Sequence, residues 1–286
     1  MVTRTAPSHL TARERARRAA RGGASRSVPA PLLVPALIAV AFLVLPLAGL
    51  LIRAPWGRLG AALTGADATQ ALVLSLWTAT VTTGVSLVIG VPLAWVLART
   101  TFPGQRLLRA LVTLPLVLPP VVGGVALLLA FGRTGFIGRY LNSWFGITIP
   151  FTPVAVVMAE TFVAMPFLII TVEGALRSAD QGFEEAAATL GAKRMSVFLQ
   201  VTVPMIAPSL GAGAVLCWAR ALGEFGATIT FAGSFPGQTE TMPIAVYYAL
   251  ENDPNAAIAL SLVLLLVSVV VLVSLRDRWL RGGSVI

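Results

Sequence analysis

Three charged side chains lie inside otherwise apolar stretches of this sequence, and they are the residues best placed to act on a charged solute. Glu160 lies in one such stretch, and Arg220 and Glu224 lie in another, four positions apart. Residues four apart on a helix share a face, so Arg220 and Glu224 can form an ion pair. A charge in a membrane span is costly, and it points either to a structural pair or to a path for a charged solute.

Both interpretations of the Arg220–Glu224 pair stay open at this stage. As a structural pair, the two residues fix the packing of a helix against its neighbour. As part of a translocation path, the arginine attracts an anion and the glutamate keeps that attraction weak enough for release. Gly223 and Gly226 flank Glu224, so the helix can bend or approach another backbone closely there. For Glu160, which has no partner nearby in the sequence, we expect a place near the outer interface or against a partner subunit, and we assign it no role.

Residues that support catalysis are scarce. The single histidine, His9, lies in a polar N-terminal segment, and the single cysteine, Cys217, lies in an apolar run typical of a small buried hydrophobe. A nucleophile–base pair or a histidine-centred metal site is therefore not expected. The sequence also lacks the GxxxxGK[ST] phosphate-binding loop, so we expect no nucleotide site, cofactor or metal in this chain.

The elements that position these residues are predicted to be membrane-spanning helices. The chain is 57% hydrophobic and only 12% charged over 286 residues, which is typical of a protein solvated by lipid. A spanning helix needs about 20 apolar residues, and the long continuous runs lack the alternation of barrel strands. We therefore predict an all-α polytopic membrane protein. Its six spanning helices cover residues 32–52, 71–98, 110–132, 152–173, 205–231 and 256–275.

The distribution of basic residues predicts the orientation. With the N-terminus inside, the inner segments hold sixteen Lys and Arg residues, the outer segments hold four and one lies within a helix, which accounts for all 21. The positive-inside rule then places both termini in the cytoplasm. We divide the chain into a basic tail (1–30), a membrane domain (31–276) and a C-terminal tail (277–286). Anionic lipid headgroups suffice to attract the basic tail, so no nucleic acid is expected.

A polar loop between the fourth and fifth predicted spans, residues 177–204, reads as a short helical hairpin. Glu184 and Glu185 suit the positive end of a helix dipole, and the alanines that follow favour a helix. Gly191 can adopt the left-handed conformation that ends the helix, and Pro204 marks the start of the next span. A second amphipathic helix is predicted over residues 193–200. From the residues alone, this hairpin either rests on the membrane or docks on a partner.

The hairpin resembles the EAA loop of permease subunits of ABC importers. The sequence Glu185-Ala186-Ala187, Gly191 and Pro204 falls at the family's spacing, with Val201 and Val203 where isoleucine and leucine are common. The resemblance implies a type I importer permease with a MetI-like fold, and a coupling helix that docks on a separate ATPase, which carries ATP and Mg²⁺. The residues that it assigns to coupling are Glu184, Glu185, Ala186, Ala187, Gly191 and Pro204.

Two further segments are similar to molybdate and sulfate permeases. One runs from Arg220 to Thr228 and continues to Tyr247, where it is more like the molybdate permeases; the other is the proline-rich third span. The similarity covers about residues 70–275. It implies that the substrate is molybdate, or tungstate, and that this chain lies in the cell (inner) membrane as a pair of identical chains. The expected partners are two copies of an ATPase and an external molybdate-binding protein. Candidate pathway or gate residues are Pro115, Pro119, Pro120, Arg220, Gly223, Glu224 and Gly226; a merely kinked structural helix remains open for the prolines.

Three other functions are alternatives to a molybdate permease. A sulfate or thiosulfate permease differs only in which tetrahedral dianion it carries. A secondary transporter driven by an ion gradient would show internal repeats and an unpaired mid-membrane carboxylate, and no clear repeat is visible. A membrane-embedded enzyme lacks the necessary residues. Dependence of uptake on nucleotide separates an ATP-driven importer from a secondary transporter.

Overall fold

The computed structural model describes residues 30–57, 60 and 65–281, in two compact units that meet in sequence between Arg53 and Ala54. The predicted basic tail, apart from Ala30, and residues 282–286 of the predicted C-terminal tail lie outside the described residues. Every regular element that is described is helical, which confirms the predicted all-α class. In chain order the helices are α1 (Ala30–Ile52), α2 (Ala66–Arg99), α3 (Gln105–Val117), α4 (Pro120–Phe131), α5 (Gly138–Phe145), α6 (Pro153–Ser178), α7 (Gly182–Thr189), α8 (Arg194–Val197), α9 (Val203–Leu222), α10 (Gly226–Ala232), α11 (Met242–Asn252) and α12 (Pro254–Arg281).

Five continuous stretches among the described residues are long and apolar enough to cross a membrane, and α3 with α4 forms a sixth, broken one. The five are α1, α2, α6, the run from Arg194 to Leu222, and α12. Near one end of α6, Arg109 of α3 binds Glu173; near the other end, Leu127 of α4 and Ala155 belong to one buried apolar cluster. Counted with this broken pair as one span, the described spans number six, as predicted.

The third span is not the single kinked helix predicted over residues 110–132. The chain changes direction by 118° between the two halves of this span. Leu118 is extended, with ψ of 135°, because Pro119 follows it, and Pro119 is extended, with ψ of 131°, because Pro120 follows it. Two consecutive extended residues end α3, and Pro120 then starts α4 at the position where proline is favoured. Pro115 lies inside α3 without ending it.

The predicted fifth span, residues 205–231, is also interrupted. Helix α9 ends at Leu222, and α10 resumes at Gly226 after a break over residues 223–225. Immediately before α9, residues Phe198–Thr202 form a π-helical turn, where a regular helix was predicted over residues 193–200. The region between the predicted fifth and sixth spans, residues 232–255, contains the helix α11.

The core of the second unit lies between α2, α6 and α9. Small side chains allow close contact, as at Gly90, where an added Cβ would lie 3.3 Å from Ile169 Cγ1. A row of buried hydroxyl residues on α2, Ser75, Thr78 and Thr82, adds polar contacts to this apolar interface. One of them, Ser75 Oγ, accepts a hydrogen bond from the backbone N–H of Met242, at the start of α11. The arrangement holds the spans that carry the candidate site.

Candidate functional site

Helix α7 is attached to two spans through the carboxylate of Glu184. Its Oε1 lies 3.0 Å from Arg99 Nη2, at the end of α2, and accepts a hydrogen bond of 3.0 Å from Thr202 Oγ1, at the start of α9. The Arg99 side chain is only 6% exposed. Glu184 is therefore the residue that anchors the predicted EAA loop. Through its two contacts, a movement of α7 can be transmitted directly to both α2 and α9.

The end of α7 has the geometry predicted from Gly191. The φ angle of Gly191 is +85°, in the left-handed region that favours glycine. The N–H of Ala192 donates to Ala187 O and the N–H of Gly191 donates to Ala188 O, which together form a Schellman motif. These bonds satisfy carbonyls that the helix end would otherwise leave without partners. They make α7 a short helix with a defined end.

The opposite face of α7 is apolar and open to solvent. Phe183 and Leu190 are 62% and 89% exposed, and Ala186, between them, is exposed as well. Positions i, i+3 and i+7 lie on one side of a helix, so the three residues form a continuous surface. Glu185 is also exposed and takes part in no salt bridge among the described residues. Exposed apolar surface next to a fixed anchor is typical of an interaction site.

A second ionic cluster at the same end was missed from the sequence. Glu173 Oε1 lies 2.8 Å from Arg109 Nη2 and 2.9 Å from Arg177 Nη2, and Arg109 also donates to the carbonyl of Leu97. The cluster joins α2, α3 and α6. The spacing of four between Glu173 and Arg177 was a visible signal, whereas Arg109 is 64 positions away from Glu173. We call the end of the bundle that carries Arg99, Arg109 and Arg177 the basic end.

Arg220 and Glu224 form the predicted ion pair, although Glu224 lies in the break and not on the helix. Arg220 Nη2 lies 2.6 Å from Glu224 Oε2; the glutamate side chain is 1% exposed and the arginine side chain 28%. The second carboxylate oxygen accepts a hydrogen bond of 2.9 Å from the backbone N–H of Ala227. Glu224 thus caps the start of α10 while it neutralises Arg220. The arginine remains partly open to its surroundings.

The two broken spans meet at glycines. A Cβ added to Gly226 would lie 2.9 Å from Pro120 Cβ, and one added to Gly124 would lie 2.7 Å from the carbonyl oxygen of Ala227. The structure therefore brings together Pro120 and Gly226 from the predicted site. Gly223 makes no such approach, because an added Cβ would meet nothing nearer than Ala219 O at 3.6 Å. Of the two glycines beside Glu224, only Gly226 serves close packing.

Aromatic contacts connect the break to α11, at the end opposite the basic end. The ring of Phe225 lies 5.2 Å from the ring of Tyr247, which lies 5.6 Å from the ring of Tyr248. Both tyrosines are exposed. A hydrogen bond with Glu251 raises the pKa of the Tyr247 hydroxyl above its ordinary value. A protein that touches α11 would therefore touch a ring in direct contact with the break.

Glu160 is in neither of the places expected for it. It is buried between α2 and α6, with Thr78 Oγ1 donating to one carboxylate oxygen at 2.8 Å and Thr82 Oγ1 to the other at 2.9 Å. Its partners are 82 and 78 positions away, which is why the sequence did not reveal them. Glu160 is a polar cross-link between two helices inside one chain, not a residue of the outer interface or of a subunit contact.

Comparison with known proteins identifies the family of this chain. Residues 86–282 match the model of the family described as binding-protein-dependent transport system inner membrane component. This chain belongs to that family. The family comprises permease components of transport systems, so the chain is a multi-pass membrane transporter component.

Named relatives of this permease fall into two groups. It is 49% identical over 245 residues to the molybdenum transport system permease protein ModB of Mycobacterium tuberculosis, covering 86% of this chain and 92% of the relative. It is 36% identical over 245 residues to the sulfate transport system permease protein CysT of Escherichia coli, covering 84% and 88%. A solved bacterial ABC transporter for the acidic polysaccharide alginate matches with a TM-score of 0.70 at 18% identity, over 89% of this chain and 95% of that one. At that identity the structural match supports the fold alone.

Proposed function

We propose that this chain is the translocation subunit of an ATP-driven importer of molybdate, and that α7 is the surface on which a separate ATPase docks. One observation carries the coupling role. Helix α7 presents Phe183, Ala186 and Leu190 outward, while Glu184 fixes its other side to Arg99. A short helix held at one face and apolar on the other is suited to transmit a rigid-body movement of a partner.

The contacts of Glu184 indicate the route by which a movement of α7 would pass into the spans. A displacement of α7 pulls on Arg99 and hence on α2, and through Thr202 it acts on the π-helical turn before α9. Helix α9 leads to the break that holds Arg220 and Glu224. ATP and Mg²⁺ would bind to the partner ATPase, and this chain would contribute the helix and the two spans that move with it.

The basic end is assigned to the cytoplasm, because it carries Arg99, Arg109 and Arg177 together with Lys193 and Arg194. Both termini would then also be cytoplasmic. An external binding protein would dock at the opposite end, on α11 and the segment 132–152. Two copies of the chain, each with its own ATPase, would enclose the path, as expected for a subunit with one coupling helix.

Molybdate is favoured over sulfate because the relatives named for molybdenum transport are the more similar ones, at 49% against 36% identity. Tungstate has the same shape and charge and would follow the same path. Along that path the partly exposed Arg220 would attract the dianion, and its existing bond to Glu224 would limit the affinity and allow release. Sulfate transport is the alternative that similarity to CysT supports.

The coupling role is tested with Glu185→Lys and Gly191→Pro in the complex of permease and ATPase. Glu185 is exposed and unpaired by any described salt bridge, so its replacement leaves the bundle intact while it alters the docking face. We expect normal membrane insertion, continued ATP hydrolysis and loss of molybdate uptake. Unchanged uptake in both variants would remove α7 from the mechanism.

The substrate is tested on the binding protein that delivers it. Calorimetric titration of that protein with molybdate, tungstate and sulfate should give tight binding of the first two and weak binding of the third. Tight sulfate binding with no response to molybdate would replace the substrate proposed here and leave the coupling proposal standing.

A further inference from the structure

An apolar groove lies between α2 and the second arm of the hairpin. It encloses about 230 Å³, and its walls are Pro92, Trp95, Val96, Arg194, Met195 and Phe198. The ring of Trp95 meets the ring of Phe198 edge to face, with centroids 6.3 Å apart, and both rings line the groove. Arg194 supplies the charge in an otherwise apolar lining.

The groove continues an exposed apolar strip on α2. Val85, Val88 and Ile89 are all exposed, Val88 by 73%, and they lead along the helix to Pro92. From Val85 to Val96 the helix rises about 16 Å, at about 1.5 Å per residue. Half of the hydrocarbon core of a bilayer is about 15 Å thick. The strip and the groove together therefore have the length of one acyl chain in one leaflet.

In the proposed orientation, a tryptophan and two cations place the groove at the depth of lipid headgroups. Trp95 is one helical turn before Arg99, where α2 ends, and tryptophan is enriched at membrane–water interfaces. Lys193 and Arg194 are both exposed, and neither takes part in the four salt bridges of the described residues. Two cations at this depth attract a phosphate group on a lipid.

We propose that this groove binds an anionic phospholipid of the leaflet at the basic end, with an acyl chain along α2 and its phosphate held by Arg194 and Lys193. The proposal rests on the orientation given under the proposed function, because anionic lipid is most abundant at the cytoplasmic leaflet. The groove includes residues of α8 and of the π-helical turn that follows α8. A bound lipid would therefore hold the second arm of the hairpin against α2 and strengthen the connection that coupling requires.

The experiment uses the full-length permease in nanodiscs of phosphatidylcholine that contain a small fraction of spin-labelled phosphatidylglycerol or, in a parallel sample, spin-labelled phosphatidylcholine. The immobilised fraction of each label gives the preference for the anionic lipid. We expect a preference of about fivefold for each cation that contacts the phosphate, the value for one basic residue close to an anionic surface. Equal immobilisation of the two labels would overturn the proposal.

Four variants locate the binding. Arg194→Gln should lower the preference about fivefold, whereas Arg194→Lys, which keeps the charge, should preserve it. Arg106→Gln is the matched control, because Arg106 is an exposed basic residue at the same end that does not line the groove. Val96→Phe should reduce binding by filling the groove while both cations remain. An equal effect of Arg194→Gln and Arg106→Gln would show general attraction to the surface and refute a site.

Two further outcomes would also reject the lipid. Competition by soluble glycerol phosphate would show a free phosphate site, and a disulfide between Val88→Cys residues of two chains would show that a second copy covers the strip. Lipid binding is measured here without ATPase or molybdate. A negative result therefore leaves the transport proposal untouched, and failed molybdate uptake leaves the lipid site untouched.

Discussion

The ion pair between Glu184 and Arg99 anchors α7 but is not part of its docking surface. The free-energy cost of removing this pair can be calculated. Glu184→Gln keeps the shape of the side chain but leaves the Arg99 guanidinium, 6% exposed, without its countercharge. Loss of one partner of a buried pair costs about 3–5 kcal/mol. Because Glu184 itself is 18% exposed, we expect the lower limit, about 3 kcal/mol.

Amide hydrogen exchange measures this cost locally. A loss of about 3 kcal/mol corresponds to a roughly hundredfold increase in opening, since each 1.4 kcal/mol is a factor of ten. Exchange of the amides from Glu185 to Ala192 should accelerate by that factor in Glu184→Gln. In the matched control Glu185→Gln, an exposed position, the change should stay within about 0.5 kcal/mol, or a factor of two to three.

A double-mutant cycle decides whether the pair is responsible. Arg99→Met removes the buried charge, so the double variant Glu184→Gln with Arg99→Met should be more stable than the sum of the single losses predicts, by about 1–3 kcal/mol. Strict additivity of the two single effects would refute the assignment of Glu184 as the anchor. It would indicate that α7 is held by other contacts.

Three further predictions concern the broken spans and the buried glutamates. Gly226→Ala should cost about 1–3 kcal/mol of stability through overpacking against Pro120, while Gly223→Ala, with nothing nearer than 3.6 Å, should stay within about 0.5 kcal/mol; thermal unfolding of the purified permease compares them. Arg220→Gln should destabilise the break by about 3 kcal/mol, because Glu224 is 1% exposed, and should lower molybdate uptake; normal stability with normal uptake would contradict both roles of the pair. Thr82→Val should cost about 1–3 kcal/mol by removing a hydrogen-bond donor from Glu160, and full wild-type stability would show that the cross-link between α2 and α6 is dispensable.

The parts of this fold that follow from local chemistry were predictable from the sequence. Span number depends on the length of apolar runs, and the end of α7 depends on the tolerance of Gly191 for positive φ. The break in the third span was visible as consecutive prolines, but its size was not expected. Leu118 and Pro119 are both forced into extended conformations, so the chain turns by 118° where a kink was predicted.

The contacts that were missed are those between residues distant in sequence. Glu160 is bonded to Thr78 and Thr82 on another span, and Glu173 is bonded to Arg109, so no local pattern identifies either partner. The break at Gly223 has a similar cause. Arg220 and Glu224 have the spacing of a helical pair, and only tertiary packing against Pro120 and the bond to Ala227 N–H show that the helix ends between them.

The central claim, that a separate ATPase acts through α7, is tested most directly by molybdate uptake into proteoliposomes. The vesicles contain this chain with or without its ATPase, in the presence of the binding protein and ATP. The account predicts uptake only with the ATPase present, and its loss when Leu190, which is 89% exposed, is changed to aspartate. Uptake at the same rate without any nucleotide-hydrolysing partner would contradict it.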